Sequence, residues 1–168
     1  YASSTLLKPG LKDFSFAFGF VRNNFGINSF DYKKAVLTAT YRRGINNNFT
    51  NELHAELQQE LQTVGFGGTL LVGTLGVVDA ASAISHTNDG MGALVKVGMQ
   101  HNSQSFNFGF NSTYTTEKFN QFGQSNLNPP PKLQSTVFVG LPLKKEGSVG
   151  LSLVSQINRI QKSTTLLS

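Results

Sequence analysis

Apolar and polar residues alternate along short stretches of this chain. Residues 13–21, DFSFAFGFV, set Phe14, Phe16, Phe18 and Phe20 on one parity and Ser15, Ala17 and Gly19 on the other. Side chains of an extended strand point to opposite faces in turn, so the spacing predicts a strand with one aromatic face. Residues 105–114 repeat the device, with Phe106, Phe108 and Phe110 against Asn107, Gly109 and Asn111. Residues 92–100 set Ala93, Val95, Val97 and Met99 against Leu94, Lys96, Gly98 and Gln100. Residues 133–141 set Ser135, Val137, Val139 and Leu141 against Gln134, Thr136, Phe138 and Gly140. Weaker versions occupy 35–43, 51–59, 64–72, 75–85 and 148–158. The pattern predicts about nine strands, each near the ~9–11 residues of a tilted membrane-spanning strand. Strands of soluble proteins are shorter, about 5–6 residues.

One segment is ambiguous. Residues 50–63, TNELHAELQQELQT, place Leu53, Leu57 and Leu61 at helical spacing and are rich in helix-forming residues. Period two fits as well: Glu52, His54, Glu56, Gln58, Glu60 and Gln62 share one parity, and Leu53, Ala55, Leu57 and Leu61 the other. Strand patterns on both sides favour a strand, because a sheet recruits its members despite propensity.

The connections are expected to alternate in length. Residues 23–34 and 115–132 are long, 59–63 and 86–91 medium, and 44–49, 73–74, 101–104 and 144–147 short. Long links at one end and short links at the other describe an up-and-down meander, as in outer-membrane barrels. Asn46-Asn47-Asn48, Asn88-Asp89-Gly90 and Glu146-Gly147 suit turns, and Pro129-Pro130-Pro131 forces an extended loop.

Composition sharpens this. Of 168 residues only 23 are charged, 14 Lys or Arg and 9 Asp or Glu. That is 14%, against about 25% in an average soluble domain. Phe reaches 14 and Gly 17, while Cys and Trp are absent. Without Cys there are no disulfides, cysteine zinc sites or thiol chemistry. The net charge of +5 is spread out, with no basic run longer than two residues, which argues against nucleic acid as a partner. The charges deep within strands are Glu52, Glu56, Asp79 and Lys96, each flanked by apolar residues of opposite parity. One face of every strand can therefore be free of charge. A lipid-facing charge at mid-bilayer costs about 2–4 kcal/mol, so a barrel with a wet lumen needs this segregation. A soluble β-sandwich, with one face on a core, predicts it too.

Few residues carry candidate chemistry. Glu52, His54 and Glu56 share one face of a strand, about 7 Å apart. A metal needs ligands converging at about 2 Å, which a flat row does not supply. His86 and His101 fall in expected loops. No G-x-S-x-G elbow is present, and Gly65-Phe66-Gly67-Gly68 lacks the third glycine of a dinucleotide loop. Asn48-Phe49-Thr50 and Asn111-Ser112-Thr113 match the short acceptor pattern for glycosylation, which recurs by chance in a chain with 15 Asn. No enzyme, cofactor or metal is expected.

The run 1–10, YASSTLLKPG, followed by 11–22, LKDFSFAFGFVR, resembles fimbrial outer-membrane ushers of the chaperone–usher pathway, especially the archaic branch. Ala39-Thr40-Tyr41-Arg42, Gly44 and the Asn-rich turn before Leu53-His54-Ala55-Glu56 look like a hairpin of that family, and Gly73-Thr74-Leu75-Gly76 like its next turn. The resemblance covers roughly 1–160 and is clearest over 1–80. It implies an all-β fold: an antiparallel up-and-down meander forming an incomplete portion of a large transmembrane β-barrel. Residues 1–12 would be the linker following the plug domain, and 13–168 part of the barrel. The plug and the terminal domains would lie outside this segment, whose open edges would invite pairing with other chains.

The resemblance further implies a bacterial outer-membrane protein that receives periplasmic chaperone–pilin complexes and passes pilus subunits through its pore, with outer-membrane lipid and its own plug as neighbours. Glu52, His54, Glu56, Asp79 and Lys96, with Gln100, Asn107 and Asn111, would line the lumen. Phe14, Phe16, Phe18, Phe20, Leu53, Val95, Val97, Phe106, Phe108 and Phe110 would face lipid. Tyr41, Tyr114 and Phe49 would serve as the aromatic girdle in place of Trp. Two other readings stay open: a different outer-membrane barrel (a porin or two-partner secretion transporter), and a soluble extracellular β-rich adhesion module.

Overall fold

The computed structural model describes residues 5–22, 32–123, 130–143, 147–159 and 164–167. They form one ten-stranded antiparallel sheet in which every strand pairs with its neighbours in sequence. The strands are β1 Lys12–Arg22, β2 Tyr32–Gly44, β3 Phe49–Gln58, β4 Leu61–Val72 and β5 Gly76–Thr87. They continue as β6 Gly90–Asn102, β7 Asn107–Thr115, β8 Leu133–Pro142, β9 Ser148–Ile157 and β10 Thr164–Leu167. The meander is thus the expected one. The short β10 has no alternating signature and exceeds the expected number by one. The sheet is open among the described residues, with β1 and β10 at its edges.

Residues 50–63 form no helix. Instead β3 ends at Gln58, the chain turns through Gln59 and Glu60, and β4 begins at Leu61. The helically spaced leucines are divided by the register. Leu57 pairs with Gln62 and Gln58 with Leu61, so Leu53 and Leu57 share one face while Leu61 is buried on the other. The parity expected for Glu60 and Gln62 is lost in the turn. Neighbouring strands on both sides supply a ladder that an isolated helix would lack.

The strict alternation of link lengths does not hold. The β3–β4 and β5–β6 links are tight turns through Gln59-Glu60 and Asn88-Asp89. The latter is closed by Gly90 at φ +120°. His86 and His101, expected in loops, lie in β5 and β6. At the loop end of the sheet only the β1–β2 and β7–β8 links are long. The opposite, turn end carries the β2–β3, β4–β5, β6–β7 and β8–β9 links, and β4–β5 is a single 3₁₀ turn, Gly73–Leu75. The expected extended run Pro129-Pro130-Pro131 falls partly outside the described residues.

The register gives the sheet two unlike faces. On one lie Phe14, Phe16, Phe18 and Phe20, beside Tyr41, Ala39, Leu37 and Ala35 of β2. Leu53, Val64 and Phe66, Val78 and Ile84, Val95 and Val97, Phe108 and Phe110, and Val137 and Val139 continue it. The charges described on this apolar face are Lys12 and Arg43, paired at its turn end. The other face is polar. A single-layer sheet has little core: the buried apolar cluster is Ala83, Leu94 and Phe119, and it sits on the polar face.

Small residues fit the polar face together. A Cβ at Gly98 would collide with the carboxylate of Asp79, its cross-strand partner. Gly98→Val should therefore lower the urea midpoint of unfolding by the equivalent of about 1–3 kcal/mol. Gly109→Ala, whose added carbon meets Phe138 Cβ at 3.8 Å, should leave the midpoint nearly unchanged. Equal effects of the two would contradict this packing.

Candidate functional site

The polar face is the candidate site, and the register assembles it. Asp13 of β1, Arg42 of β2 and Glu52 of β3 fall in one row. Arg42 Nε lies 3.3 Å from Glu52 Oε2, and Arg42 Nη1 lies 3.8 Å from Asp13 Oδ2. Asp13 is more than half exposed, so its half of the row contributes little. Next along β3, His54 shares a hydrogen bond of 2.7 Å between Nδ1 and Thr40 Oγ1. Its Nε2 is 2.9 Å from Glu56 Oε1. Both imidazole nitrogens are thus engaged by neighbouring side chains of this face.

Asp79 and Lys96 form a second pair, with Nζ 3.6 Å from Oδ2. Asp79 is 3% exposed, and burial of a carboxylate is costly unless a charge answers it. Gln100, Asn111 and Asn107 lie on the same face, opposite Gly109, Gly98 and Asn102 respectively. All eight residues expected on a wet face therefore share one face. Of the ten expected on the apolar face, nine occupy the opposite one by register. Phe106 precedes β7 and stacks on His101 at 4.6 Å between ring centroids, at the turn end of the apolar face.

Three further features shape the polar face, and the first two were not readable from alternation. First, the lead before β1 crosses its turn end. Leu7 N donates to Thr50 Oγ1 at 2.9 Å, the Arg42 guanidinium donates to Thr5 O, and Gly44 has no room for a Cβ against Lys8 O. Second, residues 116–123 of the β7–β8 link fold back across the loop end, over β6, β5 and β4 as far as β3. A cavity of about 180 Å³ remains between this strap, Pro130-Pro131 and Thr113 and Gln134 of the sheet. Third, Phe138 lies on the polar face, its ring over Gly140 and Gly150. An aromatic side chain covering glycines of its own and the adjacent strand shields bare backbone. Period two places Phe138 on this face, and Gly109 opposite it with Gly140 and Gly150 under its ring leave the space it fills.

A single-layered meander whose first nine strands run 9 to 13 residues, with no second sheet packed on its apolar face among the described residues, has the form of a β-barrel wall rather than half of a sandwich. Solved structures include a match. The P pilus usher (PapC) translocation pore superposes with a TM-score of 0.80 at 14% sequence identity, covering 96% of this chain and 35% of the pore chain. The chain thus has the fold of a segment of a usher barrel and spans about a third of the pore it matches. No protein-family model and no curated protein matches the sequence.

The Asp79–Lys96 pair makes a direct prediction. Lys96→Met should strand a buried carboxylate and destabilise the protein by about 1–3 kcal/mol. Adding Asp79→Ala should recover part of that loss. Denaturant titration of the single and double variants checks it, and strictly additive losses would show that the pair is not coupled.

Proposed function

We propose that this chain is a wall segment of an outer-membrane usher, a pore that takes pilus subunits from a periplasmic chaperone and passes them to the cell surface. The observation that carries the reading is the pairing of a usher-pore fold with an apolar face whose described charges, Lys12 and Arg43, stand only at its turn end. Phe14, Phe16, Phe18 and Phe20 are 58–67% exposed. Each Phe left in water forgoes about 1.5–3 kcal/mol of burial. A continuous row of them, extended over nine strands, calls for a solvent without water, and the outer-membrane hydrocarbon supplies it.

The polar face then lines the lumen. Its charges are answered within the face, Arg42 by Glu52 and Lys96 by Asp79, so a folded subunit meets a wet surface that holds it weakly. Such a lining lets cargo slide, because it offers neither an apolar patch nor a strong field of one sign. The segment performs no bond chemistry in this account. Lys12 and Arg43, at the turn end of the apolar face, stand where side chains can reach lipid headgroups.

The test uses the full-length protein in assembling cells. A benzophenone carried on Asn111→Cys should form adducts with pilus subunits in transit, and one carried on Phe16→Cys should form none. Subunit adducts from both positions would contradict the face assignment. Adducts from neither, with solute permeability through an inserted barrel, would favour a different outer-membrane barrel.

A further inference from the structure

We infer that residues 116–123 are a fixed strap that replaces β3–β6 as the lumen wall at the loop end, so that cargo meets the strap and not the strands beneath it. The inference rests on the barrel reading and adds to it which surface the cargo touches.

The strap is anchored in its middle. Phe119 is 3% exposed and packs with Ala83 and Leu94. Its backbone lies so close to Gly92 that a Cβ there could not be accommodated. Beside it, Asn120 answers two hydroxyls that are wholly buried beneath the strap. Asn120 N donates to Ser85 Oγ at 2.9 Å, and Thr63 Oγ1 donates to Asn120 O at 3.3 Å. Thr63 and Ser85 are each 0% exposed.

Both ends are latched. At the β7 side Thr116 N donates to Ala93 O at 2.8 Å, and Ala93 N donates back to Thr116 Oγ1 at 2.7 Å. At the far side Phe122 N donates to Glu56 Oε2 at 2.8 Å. Glu56 thus spans His54 and the strap. The Arg159 guanidinium donates to Pro130 O at 2.8 Å and to Thr115 O, tying the returning chain to the end of β7. Lifting the strap would open the buried cluster of Ala83, Leu94 and Phe119 and release both hydroxyls. A gate opened by each passing subunit would have to break all of these together. Glu117 and Lys118 remain exposed on the strap and present its own surface to the lumen.

Thiol reactivity in the membrane-inserted full-length protein tests this. Ala83→Cys places a thiol of nearly methyl size beneath Phe119, and Asn111→Cys places one on the open polar face. A charged, membrane-impermeant maleimide should modify Cys at 111 readily and at 83 at least about tenfold more slowly, both at rest and during export. Phe119→Ser or Gly92→Leu, added to Ala83→Cys, should bring the two rates together. Equal rates at 83 and 111 with the strap unaltered would overturn the inference. Protection at rest that disappears during export would overturn it too, by making the strap a gate. Failure of the barrel reading shows separately, as Phe16→Cys reacting as fast as Asn111→Cys.

Discussion

The register of the hydrogen-bond ladder is the constraint on which everything else rests. Side chains alternate between faces with a period of two, so a slip of one residue between any two strands would carry charges into the apolar face. Leu53 opposite Phe66 and Glu52 opposite Gly67 are one pairing seen on two faces. The same pairing rule holds from Phe14–Tyr41 through Val139–Leu151. Tight turns enforce it: Gln59-Glu60 and Asn88-Asp89 leave no slack for a shift. A bilayer would make the rule absolute, since unpaired backbone groups and lone charges are both costly in hydrocarbon.

Given the register, the polar face has to accommodate charge in a thin wall. It does so by placing opposite charges across strands and glycine where a side chain lies flat. Asp79 fits because Gly98 faces it and Lys96 stands one row away. Phe138 fits because Gly140 and Gly150 make its floor. Two segments without alternation then cover the ends of this face, the lead at the turn end and the strap at the loop end. The structure thus separates two tasks: the strands hold the wall, and the irregular segments shape the space beside it.

Most strands were legible because alternation is a local property. The row Phe14 to Phe20 and the row Phe106 to Phe110 both announce themselves within a few residues. The exceptions have physical causes. Residues 50–63 carry helical propensity and helical leucine spacing, and only the pairing of Leu57 with Gln62 separates Leu57 from Leu61. The turns at 59–60 and 88–89 are shorter than their polar surroundings suggested, because polar residues such as Gln62 continue into the strands. The strap left no signal: Phe119 is one aromatic residue in an aperiodic stretch, and its partners Ala83, Leu94 and Gly92 are remote in sequence. The site face was legible as a parity class, and the register puts Glu52, Asp79 and Lys96 on one face. Which of them pair, and that Glu56 latches a loop, depended on the three-dimensional register.

The central claim is that one face of this sheet meets lipid and the other meets water. Spin labels placed singly at successive positions from 13 to 20 of β1, where both faces have room for a label, test it most directly in the membrane-inserted protein. Collisions with oxygen should peak at 14, 16, 18 and 20, and collisions with a water-soluble nickel chelate at 13, 15, 17 and 19. Oxygen and nickel accessibility rising and falling together along β1 would place both faces in the same solvent and contradict the claim.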